Sequence, residues 1–206
     1  MGTSNEHSDN SSRDVVGILP AAGHARRLGS LPCSKEVFPL MTEDSLGGSV
    51  RGAQLACDHS LQAFEAAGVR RAFVLLRKGK WDVPATLGTG SGRGLQLAYR
   101  IMEATPGVPQ TLDSAYPFVA EQRVVLAFPD ILFTPRTAIA DLLQHQEATG
   151  ADVVLGAFPA PNDKTADRVK VDDGRVDSVA IKSGASSLSQ AWVLAAWTPE
   201  VIETRS

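Results

Sequence analysis

Cysteine is scarce in this chain, and neither sign of charge is in surplus. Two cysteines in 206 residues, Cys33 and Cys57, cannot build a disulfide framework, and four scattered histidines set no zinc-ligand spacing. Lys and Arg number 20 against 23 Asp and Glu, a formal net charge of −3. That balance argues against general nucleic-acid binding, which needs a strong basic surplus. No apolar run approaches the roughly 18 residues that cross a bilayer. The opening MGTSNEHSDNSSRD has neither an apolar stretch nor a small-residue cleavage pattern, so it does not read as a secretory signal. We therefore expect a cytoplasmic, soluble protein with no membrane and no nucleic-acid partner.

Hydrophobic residues make up 43% of the chain and charged residues 21%, which suits a globular fold with a substantial core. Residues 1–13 are rich in Ser, Asn and Asp, lack periodicity, and read as a disordered tail ahead of a single domain over 14–206. Continuous apolar runs at Val15–Leu19, Ala72–Leu76 and Val124–Phe128 fit strands buried on both faces of a parallel sheet, and Asp152–Ala157 reads as a fourth strand. Helical spacing marks about 50–67, ended by Gly68, and about 136–149, ended by Gly150. A short helix is expected within Thr111–Ala120, and Leu95–Ile101 alternates poorly. Beyond Ala157 the pattern changes to strands at Arg168–Val171, Val176–Ile181 and Ala191–Ala196, with Asp173-Gly174 as a hairpin turn. The expectation is a Rossmann-like, mixed and mostly parallel sheet flanked by helices, with a small antiparallel extension. Ligands of such sheets lie beyond the carboxyl ends of the strands, where strand order reverses.

The residues after the first strand suit that place. Ala21, Ala22 and Gly23 permit a tight turn whose amides can face phosphate oxygens. Arg26, Arg27 and Lys35 then bring three cations to one segment, which suits a triphosphate or merely a solvated surface loop. A dinucleotide fingerprint is not met, because Ala25 and Arg26 break the Gly-x-Gly-x-x-Gly pattern. Asp130 follows the run Val124–Phe128 and offers a hard oxygen ligand for Mg²⁺, or simply a turn carboxylate. Lys78-Gly79-Lys80-Trp81-Asp82 after the second strand offers a place for another ligand group, but reads first as a solvated loop with a packed Trp81.

Together these segments resemble the sugar-1-phosphate nucleotidylyltransferases, in particular the glucose-1-phosphate thymidylyltransferase and uridylyltransferase group. Pro20-Ala21-Ala22-Gly23-His24-Ala25-Arg26-Arg27-Leu28 and Ser34-Lys35-Glu36-Val37-Phe38-Pro39-Leu40 correspond to the two halves of that family's first-loop signature. Pro129-Asp130-Ile131-Leu132-Phe133 is similar to its metal-binding segment, Leu87-Gly88-Thr89-Gly90-Ser91 to a Leu-Gly-Asp-Gly-Ser turn, and Val176–Lys182 to the strand ending in a sugar-phosphate lysine.

The resemblance implies nucleotide contacts from Ala21, Ala22, Gly23, His24, Ala25 and Arg26. It implies catalytic roles for Arg27, Lys35 and Asp130, with Mg²⁺ as the cofactor held by Asp130, and substrate binding by Lys182. The implied partners are a nucleoside triphosphate and a sugar 1-phosphate, joined to give a nucleotide-sugar and pyrophosphate. The family's sugar-binding glutamate is replaced by Ile181, and no later aspartate matches its second metal ligand. We therefore expect either a C-terminally incomplete domain or a shortened form that uses one carboxylate or a partner chain, with an uncovered edge that favours a homo-oligomer or modest stability. A non-catalytic nucleotide or sugar-phosphate binding module, and a nucleotidylyltransferase with a non-sugar acceptor, are the alternative readings.

Overall fold

A computed structural model of the protein describes residues 15–25, 28–40, 54–103, 107–160, 166–181 and 188–203. The expected tail at 1–13 lies outside these residues, as do Arg26, Arg27 and Lys182. The strands run in chain order as β1 (Val15–Pro20), β2 (Pro39–Leu40), β3 (Gln54–Leu55), β4 (Arg71–Arg77) and β5 (Gln96–Met102). They continue as β6 (Arg123–Ala127), β7 (Val153–Pro159), β8 (Arg168–Asp172), β9 (Arg175–Ala180) and β10 (Gln190–Trp197). The helices are α1 (Asp58–Ala66), α2 (Asp82–Leu87), α3 (Val108–Asp113), α4 (Tyr116–Val119), α5 (Ala138–Thr149) and α6 (Glu200–Glu203). None of the described helices is long and apolar enough to cross a membrane.

The main sheet has the order β5-β4-β1-β6-β10, with β1 parallel to both β4 and β6. From β1 the chain steps one way to β4 and β5, then returns to place β6 on the other side of β1. That reversal opens a crevice beyond the carboxyl ends of β1 and β6. Strand β10 runs antiparallel and changes partner along its length. Leu194–Trp197 pairs with β6, whereas Gln190 and Ala191 pair with β8. The β8–β9 hairpin is thereby held past the carboxyl end of β6, at the crevice. Its turn, Asp173-Gly174, has positive φ at both residues (46° and 72°), the backbone that a tight two-residue hairpin requires. The mixed sheet with an antiparallel extension is as the apolar runs lead one to expect.

The core divides along the period-two alternation of the strands. Val15 and Leu19 of β1 pack with α1 and α5 through Leu61, Phe64, Ile139 and Leu143. Val16 and Ile18 face the opposite layer, with Ala115 and Val119. Gly17 lies under α1, where an added Cβ would sit 2.7 Å from Phe64 Cε2. Only glycine lets that ring approach the strand so closely.

Two expected helices are shorter or divided. The first begins at Asp58, because the amides of Ala56 and Cys57 are given to Phe38 and Glu36 carbonyls and the Asp58 carboxylate accepts the Leu55 amide at 2.8 Å. The residues just before it, Gln54–Leu55, instead pair with β2. The expected helix within Thr111–Ala120 divides into α3 and α4, and Pro117 gives the reason, since it has no N–H to donate back to the Asp113 carbonyl and is tolerated in the first turn of α4.

Candidate nucleotide-binding crevice

The turn after β1 begins with Ala21, which is buried and fully engaged. Its amide donates to the Leu75 carbonyl of β4 at 2.8 Å, and its carbonyl accepts from Lys80 Nζ at 2.7 Å. Ala21 therefore anchors the turn to β4 and to Lys80. Gly23 and His24 are exposed, and Ala25 is half-buried in left-handed backbone at φ 52°. They border an open cleft of about 400 Å³, whose other walls include Lys35, Arg77 and Trp81.

Lys35 opens a 3₁₀ turn, Lys35–Val37, and its Nζ donates to Asp130 Oδ2 at 2.5 Å. Two residues 95 positions apart thus meet where the chain leaves β1 and β6. Lys35 Nζ also lies 3.6 Å from the position a Cβ on Gly23 would take, so the ammonium stands between the turn and the carboxylate. The Asp130 loop is tied down on both sides. Ser60 Oγ donates to the Phe128 carbonyl at 3.0 Å, and the Phe133 amide donates to His59 Nε2 at 3.2 Å. The His59 and Phe133 rings meet edge to face, with centroids 4.5 Å apart. Burial, with help from the Arg136 charge, holds the His59 imidazolium below its ordinary pKa. An amide donor at Nε2 likewise favours the neutral ring.

The loop after β4 differs most from expectation. Trp81 is 55% exposed on the cleft rim, whereas Lys80 is buried. Lys80 Nζ pairs with the buried Glu36 Oε2 at 2.6 Å. Burial pulls the lysine below its ordinary pKa, the Glu36 carboxylate partly restores it, and the like charges of Lys35 and Arg77 oppose it. Asp82 accepts the Ser34 amide at 2.6 Å and the Ser34 hydroxyl at 2.9 Å. Burial works to raise the Asp82 pKa, but the Ser34 hydrogen bonds, together with the backbone amides of Asp82 and Val83, outweigh it and hold the carboxyl below its usual value. The sequence places Lys80, Asp82 and Glu36 only within longer segments and singles out none of them as a site residue. A strand-end Lys-x-Asp carries no periodic or motif signal, because its partners are set only by the approach of two loops.

Among the described residues no group of three or more His, Cys, Asp or Glu side chains is placed to enclose a metal ion. Asp130 supplies one hard carboxylate, which fits Mg²⁺ in the manner that takes one or two carboxylates and completes its shell with phosphate oxygens and water. It does not fit a cage built from protein alone. The Leu87–Ser91 turn is formed with Gly88 and Gly90 at positive φ, and the Thr89 carbonyl accepts the Leu97 amide.

No protein-family model matches the sequence, and no curated protein matches it. Among solved structures, the chain is similar to a protein described as a glucose-1-phosphate thymidylyltransferase from Bacillus anthracis, in complex with a sucrose. The TM-score is 0.79 at 17% identity over 92% of this chain and 73% of that one. It is also similar to a UDP-glucose pyrophosphorylase complexed with UDP-glucose, with a TM-score of 0.71 at 10% identity over 91% of this chain and 77% of that one. At these identities the likeness concerns architecture: the chain has the nucleotidyltransferase fold that those two proteins share.

Proposed function

We propose that the chain transfers a nucleotidyl group from a nucleoside triphosphate to a sugar 1-phosphate, releasing pyrophosphate. The observation that carries this reading is the meeting of Lys35 with Asp130 across the strand-order reversal, in a fold shared with enzymes named for that chemistry. A phosphate oxygen of the sugar attacks the α-phosphorus in line. The new P–O bond forms as the bond to the β-phosphate breaks, and pyrophosphate leaves with the electron pair. Chemistry of this kind depends on alignment and charge neutralisation more than on a protein base.

The amides of Ala22, Gly23, His24 and Ala25 receive the nucleotide's phosphates, and Arg26 adds charge beside them. Lys35 and Arg27 stabilise the departing pyrophosphate, so Lys35 exchanges Asp130 for phosphate oxygen when the nucleotide arrives. Lys182 holds the attacking phosphate. Mg²⁺ held by Asp130 would neutralise phosphate charge. The half-exposed ion pair of the free protein keeps both groups in the crevice without a large contribution to stability, about 1 kcal/mol or less.

Pyrophosphate release, measured across several nucleoside triphosphates and sugar 1-phosphates with and without Mg²⁺, tests the reading. Asp130→Ala should lower turnover by at least about 100-fold, in line with loss of a group that stabilises developing charge, while leaving the melting transition in place. Unchanged turnover would remove Asp130 from the mechanism. Binding without turnover would assign a binding module instead, and turnover confined to non-sugar acceptors would change the substrate class.

A further inference from the structure

We infer that Lys80 and Asp82 are positioning residues, a brace that aims the Lys35 ammonium at the crevice by fixing the residues on either side of it. Asp82 holds Ser34 through two hydrogen bonds, and Lys80 holds Glu36 through a buried ion pair. Lys35, between them, is left with its own backbone pinned on both sides and its side chain free to reach Asp130. The same Lys80 ammonium also holds the Ala21 carbonyl. One side chain thus joins the turn after β1 to the turn that carries Lys35. The inference rests on the phosphate-binding role proposed for Lys35.

Stability alone is a poor account of the Lys80–Glu36 pair. Two charges removed from water gain little over apolar side chains of the same size, and less when an oxygen is left over. Glu36 Oε1 is such an oxygen, buried with no hydrogen-bond partner among the described residues. What the pair supplies, and an apolar pair would not, is direction. The ammonium must sit within hydrogen-bond reach of both Glu36 and Ala21, and this sets the distance between two phosphate-facing segments. The short loop Lys78–Asp82 is suited to the task because it leaves β4, the neighbour of β1, and enters α2 at Asp82.

The decisive experiment compares stability with catalysis in one set of variants. Lys80→Met alone strands Glu36 without a partner and is expected to unfold easily. The double variant Lys80→Met/Glu36→Leu removes both charges and should fold, but Met cannot bond the Ala21 carbonyl. We expect it to melt like the parent while kcat falls by about 10- to 100-fold, the scale of a small misplacement of a reacting group, with the sugar-phosphate KM little changed. Recovery of both stability and kcat would show that the pair is only structural and would overturn the proposal.

Should the double variant fail to fold, Asp82 decides the matter. Asp82→Ala should lower kcat on the same scale, and Asp82→Asn, which can still accept the Ser34 amide, should restore most of it. Equal kcat in the parent and Asp82→Ala would overturn the brace. Acylation of Lys35 by a small amine-reactive reagent, followed by peptide mass spectrometry, reads the same geometry without activity. Asp82→Ala should speed it several-fold, and Asp82→Asn should not. If the parent releases no pyrophosphate with any substrate pair, the proposed function fails. The labelling still judges the brace on its own, and unchanged labelling in Asp82→Ala would overturn it.

Discussion

Ala25 is the clearest case of a residue working against its backbone. At φ 52° it occupies left-handed space that costs an L-residue roughly 1–2 kcal/mol. Glycine would avoid that cost but give back part of it through a freer unfolded chain. Ala25→Gly should therefore raise stability by about 0.5–1 kcal/mol in urea titration, and a loss would contradict the left-handed turn.

His59 makes a second prediction at the scale of one residue. Its folded pKa lies below the ordinary 6.5, owing first to burial and then to Arg136. The unfolded chain thus takes up the proton first as pH falls. The contribution of the neutral ring is complete above about pH 6.5 and is lost progressively below it. Melting temperatures between pH 8 and pH 4.5, compared with His59→Gln, test this. Gln keeps an acceptor for the Phe133 amide but does not titrate, so its curve should be flatter on the acid side. Parallel curves would remove His59 from the acid response.

Among the elements, the seating of α1 on β1 depends on a missing side chain. Gly17→Ala would force a methyl group to within 2.7 Å of the Phe64 ring, an overpacking that costs about 1–3 kcal/mol. A matching urea titration checks it, and Phe64→Leu in the same background should recover part of the loss by making room. If Gly17→Ala is neutral, α1 is free to shift away from the strand. The consequence reaches the crevice, because α1 carries both His59 and Ser60, which secure the Asp130 loop.

For the molecule as a whole, the proposed nucleotide is expected to bind the folded state alone. A nucleoside triphosphate with Mg²⁺, at about 100 times its Kd, should add about 2.7 kcal/mol of stability. For a chain of this length that is a rise in Tm of about 5–10 °C. Thermal shift across the common triphosphates would also rank them by base. No shift with any of them, together with no pyrophosphate release, would remove the nucleotide from the reading.

The strands were legible at this scale because burial on both faces leaves continuous apolar runs, as in Val15–Leu19 and Val124–Phe128. The hairpin turn was legible because Asp173-Gly174 tolerates positive φ. Helix starts were less so. The beginning of α1 depends on amides captured by Glu36 and Phe38, and no local pattern records that capture.

The crevice divides in the same way. Lys35 and Asp130 could be singled out from the chain alone, since each follows a buried run at the place where a parallel sheet receives its ligands. Their 2.5 Å approach, and the exchange of roles between Lys80 and Trp81, could not. Local residue type determines which segments can become strands, turns and charge-bearing loops. Which charge is buried, and which partner holds it, depends on contacts between segments tens of residues apart, and these exist only once the sheet has brought the loops together.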